Sequence, residues 1–381
     1  MTAPRVRRIE LRVARISPKT RWVFVSIERD DGAIGIGEAS LNGKEAALGE
    51  AANAFALRLF AARLERPQDF AAAIAPADLV QAAIVSALDQ ALWDAHARAQ
   101  GIRLIDALGG ARREAIRLYA NINRRTEPRT PTGFAQSAAI ALAAGYTALK
   151  LAPFDAVDPA ICAAGRGVSA MQAGLACVAA VRAVAGPACL IMIDCHWRFD
   201  EATARELIAA AAEHGVGWFE CPLPETAANI PALVRLRGQA NRMGMRQAGL
   251  EHGIGWQAFR PYCEAGAYDV VMPDVKYMGG LTAMLHCAEE CARLGIESSP
   301  HNPTGPISHA ASLAVAAAQT TFDMLEIQFD ETPLFDTFVT GLPARANGQS
   351  QLPGGAGLGV DLDPAQLDAH ADVPVRAWES P

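Results

Sequence analysis

The sequence has 381 residues, of which 51% are apolar and 20% are charged. This length exceeds that of one typical domain. The apolar residues are numerous enough to form a large core, so the composition excludes a disordered chain. Lys and Arg total 34 against 41 Asp and Glu, and a formal charge of −7 without a basic patch argues against nucleic-acid binding.

Targeting signals and membrane spans are not expected either. The longest apolar runs, such as residues 312–318, fall well short of the roughly 20 residues that cross a bilayer. Near the N-terminus, Arg residues alternate with apolar residues, which predicts a first strand and not a secretion signal. We therefore predict a cytoplasmic protein with no membrane partner.

The first 115 residues combine strands with helices. Alternating patterns predict strands over 6–13, 22–28 and 33–38, with a turn at residues 30–32. Ala-rich and Leu-rich periodic segments predict helices over 45–64 and 79–100, the second ended by Gly101. Residues 1–115 are thus predicted to form a separate α+β domain.

From residue 116 onward, short apolar runs alternate with helical segments. Eight strands are predicted, over 117–122, 147–151, 189–195, 217–221, 247–251, 268–273, 296–299 and 324–328. About eight strand and helix repeats over this length predict a (β/α)₈ barrel over 116–336, with a doubly wound sheet as the alternative. Residues 337–381 are rich in Gly and Pro and are predicted to be a loop-rich segment that returns to the first domain.

The eight cysteines give no metal or disulfide pattern. No pair has C-x-x-C spacing, and Cys189, Cys195 and Cys221 lie in or beside apolar strand-like runs. We therefore predict reduced thiols in the core rather than a zinc cluster.

Three carboxylates end three successive predicted strands. Asp194, Glu220 and Glu251 are separated by 26 and 31 residues, about one strand and helix repeat each. A single carboxylate after a strand is usually a helix cap, but three in succession converge on one mouth of a barrel. Ligands that are all oxygen suit Mg²⁺, so the sequence predicts a magnesium site.

The next strands end in an acid and a histidine. Asp274 and His301 would form a dyad in which the carboxylate fixes the imidazole tautomer for acid–base work. His196 is two residues after Asp194, and strand alternation would aim both into the site. Lys150 ends the second strand and either holds a substrate carboxylate or is solvated, whereas Glu326 is a candidate hydrogen-bonding acid on the eighth.

These residues resemble those of the enolase superfamily, in its mandelate racemase subgroup. The resemblance spans nearly the whole chain and includes Asp274-x-x-x-x-Gly279-Gly280 and Ser299-Pro300-His301. It implies a cap over the barrel mouth, bound Mg²⁺, and a base that removes the proton next to a carboxylate. Many relatives carry K-x-K on strand two, but here Ala152 replaces the second lysine, and Asp194-Cys195-His196 is similar to the D-x-H of galactonate dehydratases.

The resemblance therefore favours an acid-sugar dehydratase acting on a small carboxylate substrate. His301 would remove the α-proton and His196 would protonate the departing β-hydroxyl, although these roles could be reversed. A racemase or epimerase and a non-catalytic ligand-binding descendant remain alternatives. Trp22 and Arg198 are further candidates for substrate binding, a homo-oligomer is expected, and no role follows for His252 or Lys276.

Overall fold

The computed structural model describes residues 4–381, so residues 1–3 of the predicted first domain lie outside the described residues. The N-terminal part is an antiparallel sheet covered by helices. Its strands are β1 (Val6–Arg15), β2 (Arg21–Arg29) and β3 (Ile34–Glu38), and its helices are α1 (Glu45–Ala61), α2 (Asp69–Ala72), α3 (Leu79–Gln100) and α4 (Leu104–Ala107). We call this part the cap.

Helix α3 is the central element of the cap. Asp78 accepts a hydrogen bond from the backbone N–H of Gln81 at its start, and Gly101, with φ of 67°, ends it in the left-handed region that glycine adopts easily. Its middle is buried on all sides, because it packs between the cap sheet and the barrel. The predicted bounds of this helix are confirmed.

Eight parallel strands form the second part. They are β4 (Ala115–Asn121), β5 (Ala148–Leu151), β6 (Leu190–Asp194), β7 (Val216–Glu220), β8 (Arg246–Gly249), β9 (Val270–Val271), β10 (Glu297–Ser298) and β11 (Leu325–Gln328). Their order is β10-β9-β8-β7-β6-β5-β4-β11, so each strand lies beside its neighbour in sequence and the last joins the first. The predicted (β/α)₈ barrel with an α+β cap is confirmed.

Helices follow the strands on the outside of the barrel. They are α5 (Pro131–Ala143), α6 (Pro159–Ala163), α7 (Gly167–Ala170), α8 (Gln172–Ala185), α9 (Glu201–Glu213), α10 (Ile230–Arg242), α11 (Gly255–Ala265), α12 (Leu281–Arg293) and α13 (Pro306–Ala318). The stretch Gly167–Ala185 is long and apolar enough to cross a membrane by length and composition. Of its most apolar window, 33% is buried, and Leu175, Val178 and Val181 on it pack in the barrel core.

Apolar side chains of different sizes fill the inside of the barrel. The interior cluster comprises Tyr119, Ala148, Met192, Trp218, Ala248, Val270, Met272 and Met324. Because this layer is closely packed, it forms a floor beneath the polar residues at the strand ends.

The C-terminal segment ties the two parts together. After α14 (Leu334–Thr337) it contains β12 (Val339–Thr340), β13 (Gln349–Gln351), β14 (Asp361–Leu362), α15 (Pro364–Ala369) and β15 (Arg376–Glu379). Strand β13 pairs with β4 of the barrel, and β15 pairs with β1 of the cap. All eight cysteines are buried and free, as predicted.

Two cap carboxylates lie at the starts of barrel helices. Glu38 accepts hydrogen bonds from the backbone N–H groups of Gly305 (2.8 Å) and Ser308 (3.0 Å) at the start of α13. Asp89 accepts one from Leu281 (2.7 Å) at the start of α12. A carboxylate at a helix N-terminus satisfies N–H groups that the helix itself leaves free. The cap is thus fixed to the two helices that follow β9 and β10.

Candidate active site

The three predicted ligands lie close to one another at the mouth of the barrel. Asp194 and Glu220 are the last residues of β6 and β7 and are paired in register. Glu251 is the second residue after the end of β8. At most 5% of each residue is exposed, so these carboxylates are withdrawn from bulk water.

The backbone beside the carboxylates is strained. His196 (φ 46°), Trp197 (φ 57°), Cys221 (φ 45°) and Leu250 (φ 73°) adopt left-handed conformations without being glycine. Such residues cost about 1–3 kcal/mol each and cluster where function over-determines the backbone. Each lies within three residues of a predicted ligand, so these strained turns set the directions of the side chains around the site.

The carboxylates destabilise one another's charged forms. Burial, followed by the neighbouring Asp194, raises the pKa of Glu220 to about 8, even though Lys150 opposes the shift. Burial and the charges of Asp194 and Glu220 raise the pKa of Glu251 well above its usual range. Asp194 differs because the adjacent His196 outweighs burial and lowers its pKa to about 2. A cation between these groups would relieve the repulsion.

The donor set fits a hard divalent cation. Carboxylate oxygens of Asp194 and Glu220 and Sγ of Cys221 all lie within 4.8 Å of one another. Burial and nearby carboxylates raise the pKa of the Cys221 thiol, so it stays a neutral thiol that Mg²⁺ does not prefer. Glu251 lies outside this compact cluster, with Oε2 3.4 Å from His301 Nε2. Asp194 and Glu251 line the cavity, and Glu220 lies beside Asp194 in register. Three buried carboxylates in this arrangement match the oxygen ligands expected for Mg²⁺.

Asp274 and His301 are in contact, as the sequence predicted. His301 Nδ1 lies 2.7 Å from Asp274 Oδ2, and an isolated parallel bridge between the two residues extends the pairing of β9 and β10. Although burial would raise it, Lys276 and then His301 lower the pKa of Asp274. The carboxylate therefore stays ionised and orients the imidazole of His301. His301 lines the cavity, and its Nε2 lies 3.4 Å from Glu251 Oε2.

His196 also lines the cavity, but not for the reason predicted. Strand β6 ends at Asp194, so strand alternation does not apply to His196, which lies in the left-handed turn beyond it. Its Nε2 lies 2.8 Å from Asp194 Oδ2, and 43% of its side chain is exposed. The Asp194 charge raises the pKa of His196, although burial opposes this.

Lys150 is an ion-pair partner deep in the site. Its Nζ lies 2.8 Å from Glu220 Oε1 and 2.8 Å from Glu326 Oε1, and only 1% of its side chain is exposed. The solvated-lysine reading is therefore wrong. Lys150 also lines the cavity, so its placement is compatible with contact to a substrate.

Glu326 requires a correction. It was predicted to act as a hydrogen-bonding acid, but its carboxylate accepts hydrogen bonds from Asn121 Nδ2 (2.7 Å) and from the backbone N–H of Asn302 (3.1 Å). Lys150 lowers its pKa despite burial. Glu326 is thus an ionised acceptor behind Lys150 and does not line the cavity.

A cavity of about 360 Å³ lies between the barrel mouth and the cap. The cap contributes Trp22 and its neighbours from β2 and the loop after β3, and Trp22 packs edge-on against Phe338. Arg198 is not part of this cavity, because its guanidinium donates to backbone carbonyls of Asp155 and Val157. Arg198 is therefore withdrawn from the substrate-binding candidates.

Six polar cavity residues were given no individual role from the sequence. They are Arg21, Asn42, Asn121, Asn123, Arg124 and Lys276. Lys276 could have been assigned one, because it follows Asp274 by two residues, just as His196 follows Asp194. The roles of the others depend on how the cap and barrel loops meet.

Comparisons with known proteins agree with this geometry. A family model described as "Enolase C-terminal domain-like" matches residues 133–366, and one described as "Mandelate racemase / muconate lactonizing enzyme, N-terminal domain" matches residues 2–109. The chain belongs to the mandelate racemase and muconate lactonizing enzyme family. The two matches together cover most of the sequence of this family member.

Individual relatives are distant. This family member is 30% identical over 295 residues to a D-gluconate dehydratase of Thermoproteus tenax, a match that covers 77% of the chain but 57% of that relative. It is 26% identical over 372 residues to a D-galactonate dehydratase of Ralstonia nicotianae, covering 95% and 94% of the two chains. The crystal structure of a mandelate racemase/muconate lactonizing enzyme from Jannaschia sp. shares its fold, with a TM-score of 0.85, 24% identity, and coverage of 98% and 99%.

Proposed function

We propose that this protein is a Mg²⁺-dependent dehydratase of acid sugars, which converts an aldonate or a related acid into a 2-keto-3-deoxy acid. The observation that carries the proposal is the pair of histidines, His196 and His301, placed on the two sides of a buried carboxylate cluster. The curated relatives that are named dehydratases of gluconate, galactonate and xylonate support it.

The polarity of the cavity supports a polyhydroxylated acid as substrate. Arg21, Asn42, Asn121, Asn123 and Arg124 offer hydrogen-bond donors around the same space. Some of these donors already have protein partners, since Asn121 donates to Glu326 and Arg124 to Glu331. The remaining N–H groups can donate to the hydroxyl groups of a sugar acid.

The first step is removal of the α-proton. Asp274 holds Nδ1 of His301, so Nε2 is the nitrogen that accepts the proton on the cavity side. Asp194, Glu220 and Glu251 would hold the Mg²⁺. When bound, this ion would stabilise the negative charge that develops on the substrate carboxylate. Lys150 Nζ lies 2.8 Å from both Glu220 and Glu326 and holds these two carboxyl groups in place.

The second step is loss of the β-hydroxyl. His196 lies across the carboxylates from His301 and would give a proton to the departing oxygen, which leaves as water. The C3–O bond breaks as the C2–C3 double bond forms, and the enol product tautomerises to the keto acid. General acid catalysis of this kind typically contributes about 10²–10⁴-fold.

A panel of aldonates and aldarates, incubated with the protein and Mg²⁺, tests the proposal. We expect 2-keto acid formation from at least one of them, detected with a carbonyl reagent. Exchange of the α-proton with D₂O, and interconversion of α-epimers without any keto acid, would instead identify a racemase or epimerase. Neither exchange nor keto acid from any member would support a ligand-binding protein. The cytoplasmic location and the homo-oligomer stay predictions.

A further inference from the structure

A second ammonium group lies beside the base His301. Lys276 lines the cavity, although only 2% of the residue is exposed. Its Nζ lies 2.7 Å from Asp274 Oδ2, which is the oxygen that His301 Nδ1 also meets at 2.7 Å. The base and the ammonium are therefore held side by side by one carboxylate oxygen.

Lys276 has more N–H donors than hydrogen-bond acceptors among the described residues. Its ammonium carries three N–H groups, and among residues 4–381 one side-chain acceptor is found for it, Asp274 Oδ2. The ring of Tyr277, 5.2 Å from Nζ, stabilises the charge but replaces no full hydrogen bond. Since a buried donor without an acceptor costs about 1–3 kcal/mol, the remaining N–H groups favour an oxygen atom of a ligand in the cavity.

Lys276 and His196 lie on opposite sides of the site. His196 follows β6, whereas Asp274 and His301 follow β9 and β10. Strands β7 and β8, which lead to Glu220 and Glu251, separate them in the sheet. A substrate bound over these carboxylates would meet His196 on one face, and His301 with Lys276 on the other.

We propose that Lys276 is a second proton donor of this site, used when the β-hydroxyl leaves from the same face as the α-proton. This inference rests on the proposed dehydratase function. His196 protonates a β-hydroxyl that leaves from the opposite face. Each donor therefore acts on the leaving groups of one face.

The step that uses Lys276 balances within the site. The C2–H bond breaks and its proton goes to Nε2 of His301, the electron pair forms the C2–C3 double bond, and the C3–O bond breaks. The departing hydroxide takes a proton from Nζ of Lys276 and leaves as water. The site is restored when His301 gives up one proton and Lys276 gains one, so nothing is oxidised or reduced.

The consequence concerns the substrate class. When the rest of an acid sugar is held in one position, inverting the configuration at C3 moves the β-hydroxyl to the other face. A site with a donor on each face therefore dehydrates both members of a C3-epimeric pair.

The test uses D-gluconate with D-allonate and D-galactonate with D-gulonate, two pairs that differ only at C3. We expect the native protein to form keto acid from both members of at least one pair. Lys276→Met is expected to change the ratio of the two kcat/KM values by about 100-fold or more, and His196→Asn to change it in the opposite direction. Lys276→Arg keeps a cationic donor but cannot release a proton, so it retains a KM close to native while kcat falls for the same epimer as in Lys276→Met.

Three results would overturn the inference and leave the dehydratase proposal standing. The first is a native protein that dehydrates only one member of each pair. The second is a Lys276→Met variant that slows both epimers and α-proton exchange in D₂O equally, which would make Lys276 a positioning residue for Asp274. The third is a Lys276→Arg variant with native kcat on both epimers. Failure of the dehydratase proposal looks different, because no acid sugar then gives a keto acid.

Discussion

Lys150 Nζ and Glu220 Oε1 form an ion pair of 2.8 Å in which both side chains are at most 1% exposed. The same ammonium lies 2.8 Å from Glu326. Two buried carboxylates therefore depend on one lysine, and removing one member of such a set leaves an uncompensated charge.

Lys150→Met is accordingly expected to lower the free energy of unfolding by about 3–5 kcal/mol. Urea denaturation in the presence of a chelator measures this without help from a divalent cation. Lys44→Met, at an exposed lysine of the cap, is the matched control and should change stability little. A Lys150→Met protein as stable as the control would contradict the ion-pair account.

Glu220→Gln is expected to abolish Mg²⁺ binding, because it removes a charged oxygen ligand from the carboxylate cluster. Isothermal titration calorimetry with MgCl₂ measures the affinity. Cys221→Ser is the control, since its thiol lies within 4.8 Å of Asp194 and Glu220 but is not a donor that Mg²⁺ prefers. Unchanged affinity in Glu220→Gln, or affinity lost only in Cys221→Ser, would refute the assigned ligands.

The two histidines are expected to separate two steps of the reaction. For a substrate that uses His196, His196→Asn should retain exchange of the α-proton with D₂O but lose about 10²–10⁴-fold in keto acid formation. His301→Asn should lose both, because no base remains. Proton NMR in D₂O and a keto-acid assay follow the two processes, and the reverse pattern would exchange the assigned roles.

Glu38 is expected to stabilise the contact between the cap and the barrel. Its carboxylate accepts hydrogen bonds from Ser40 and Thr304 hydroxyl groups and from two backbone N–H groups of α13. Glu38→Ala leaves these buried donors unpaired and should cost about 3 kcal/mol, measured by urea unfolding. Glu28→Ala, at an exposed position of β2, should stay within about 0.5 kcal/mol of native. Equal effects of the two variants would count against this contact.

Asp89 is expected to make stability depend on pH. Burial raises its pKa from 3.8 to about 7, although the Leu281 N–H opposes the shift. Because the folded pKa exceeds the unfolded one, the folded state favours the protonated acid. Its contribution is complete below about pH 4 and is lost as the pH rises through about 7.

Asp89→Asn isolates that contribution, since an amide oxygen still accepts from Leu281. The variant is expected to gain stability relative to native protein as the pH rises from 4 to 8, by up to about 4 kcal/mol. Urea unfolding of both proteins across this pH range gives the difference in their free energies of unfolding. The other titrating groups are the same in both proteins, so their contributions cancel in this difference. A difference that does not change with pH would show that Asp89 stays ionised in the folded protein.

The sequence by itself determined the architecture and the approximate ends of the strands, although β8 ends at Gly249, two residues before Glu251. Strand and helix periods repeat along residues 116–336, and the chemistry of a barrel lies where its strands end, so Asp194, Glu220, Asp274 and His301 could be named from order alone. The apolar period also marked the bounds of α3, with Gly101 at its end.

Only the tertiary structure decided which charges meet. Lys150 lies between Glu220 and Glu326, which requires three strands to come together. Lys276 and His301 meet the same oxygen of Asp274, and Arg198 turns away from the cavity. Left-handed turns at His196 and Leu250 break the alternation on which a sequence argument relies. Arg21 and Asn42 likewise line the cavity only because the cap packs against the barrel mouth. Short-range patterns fix secondary structure, whereas these contacts join residues far apart in sequence.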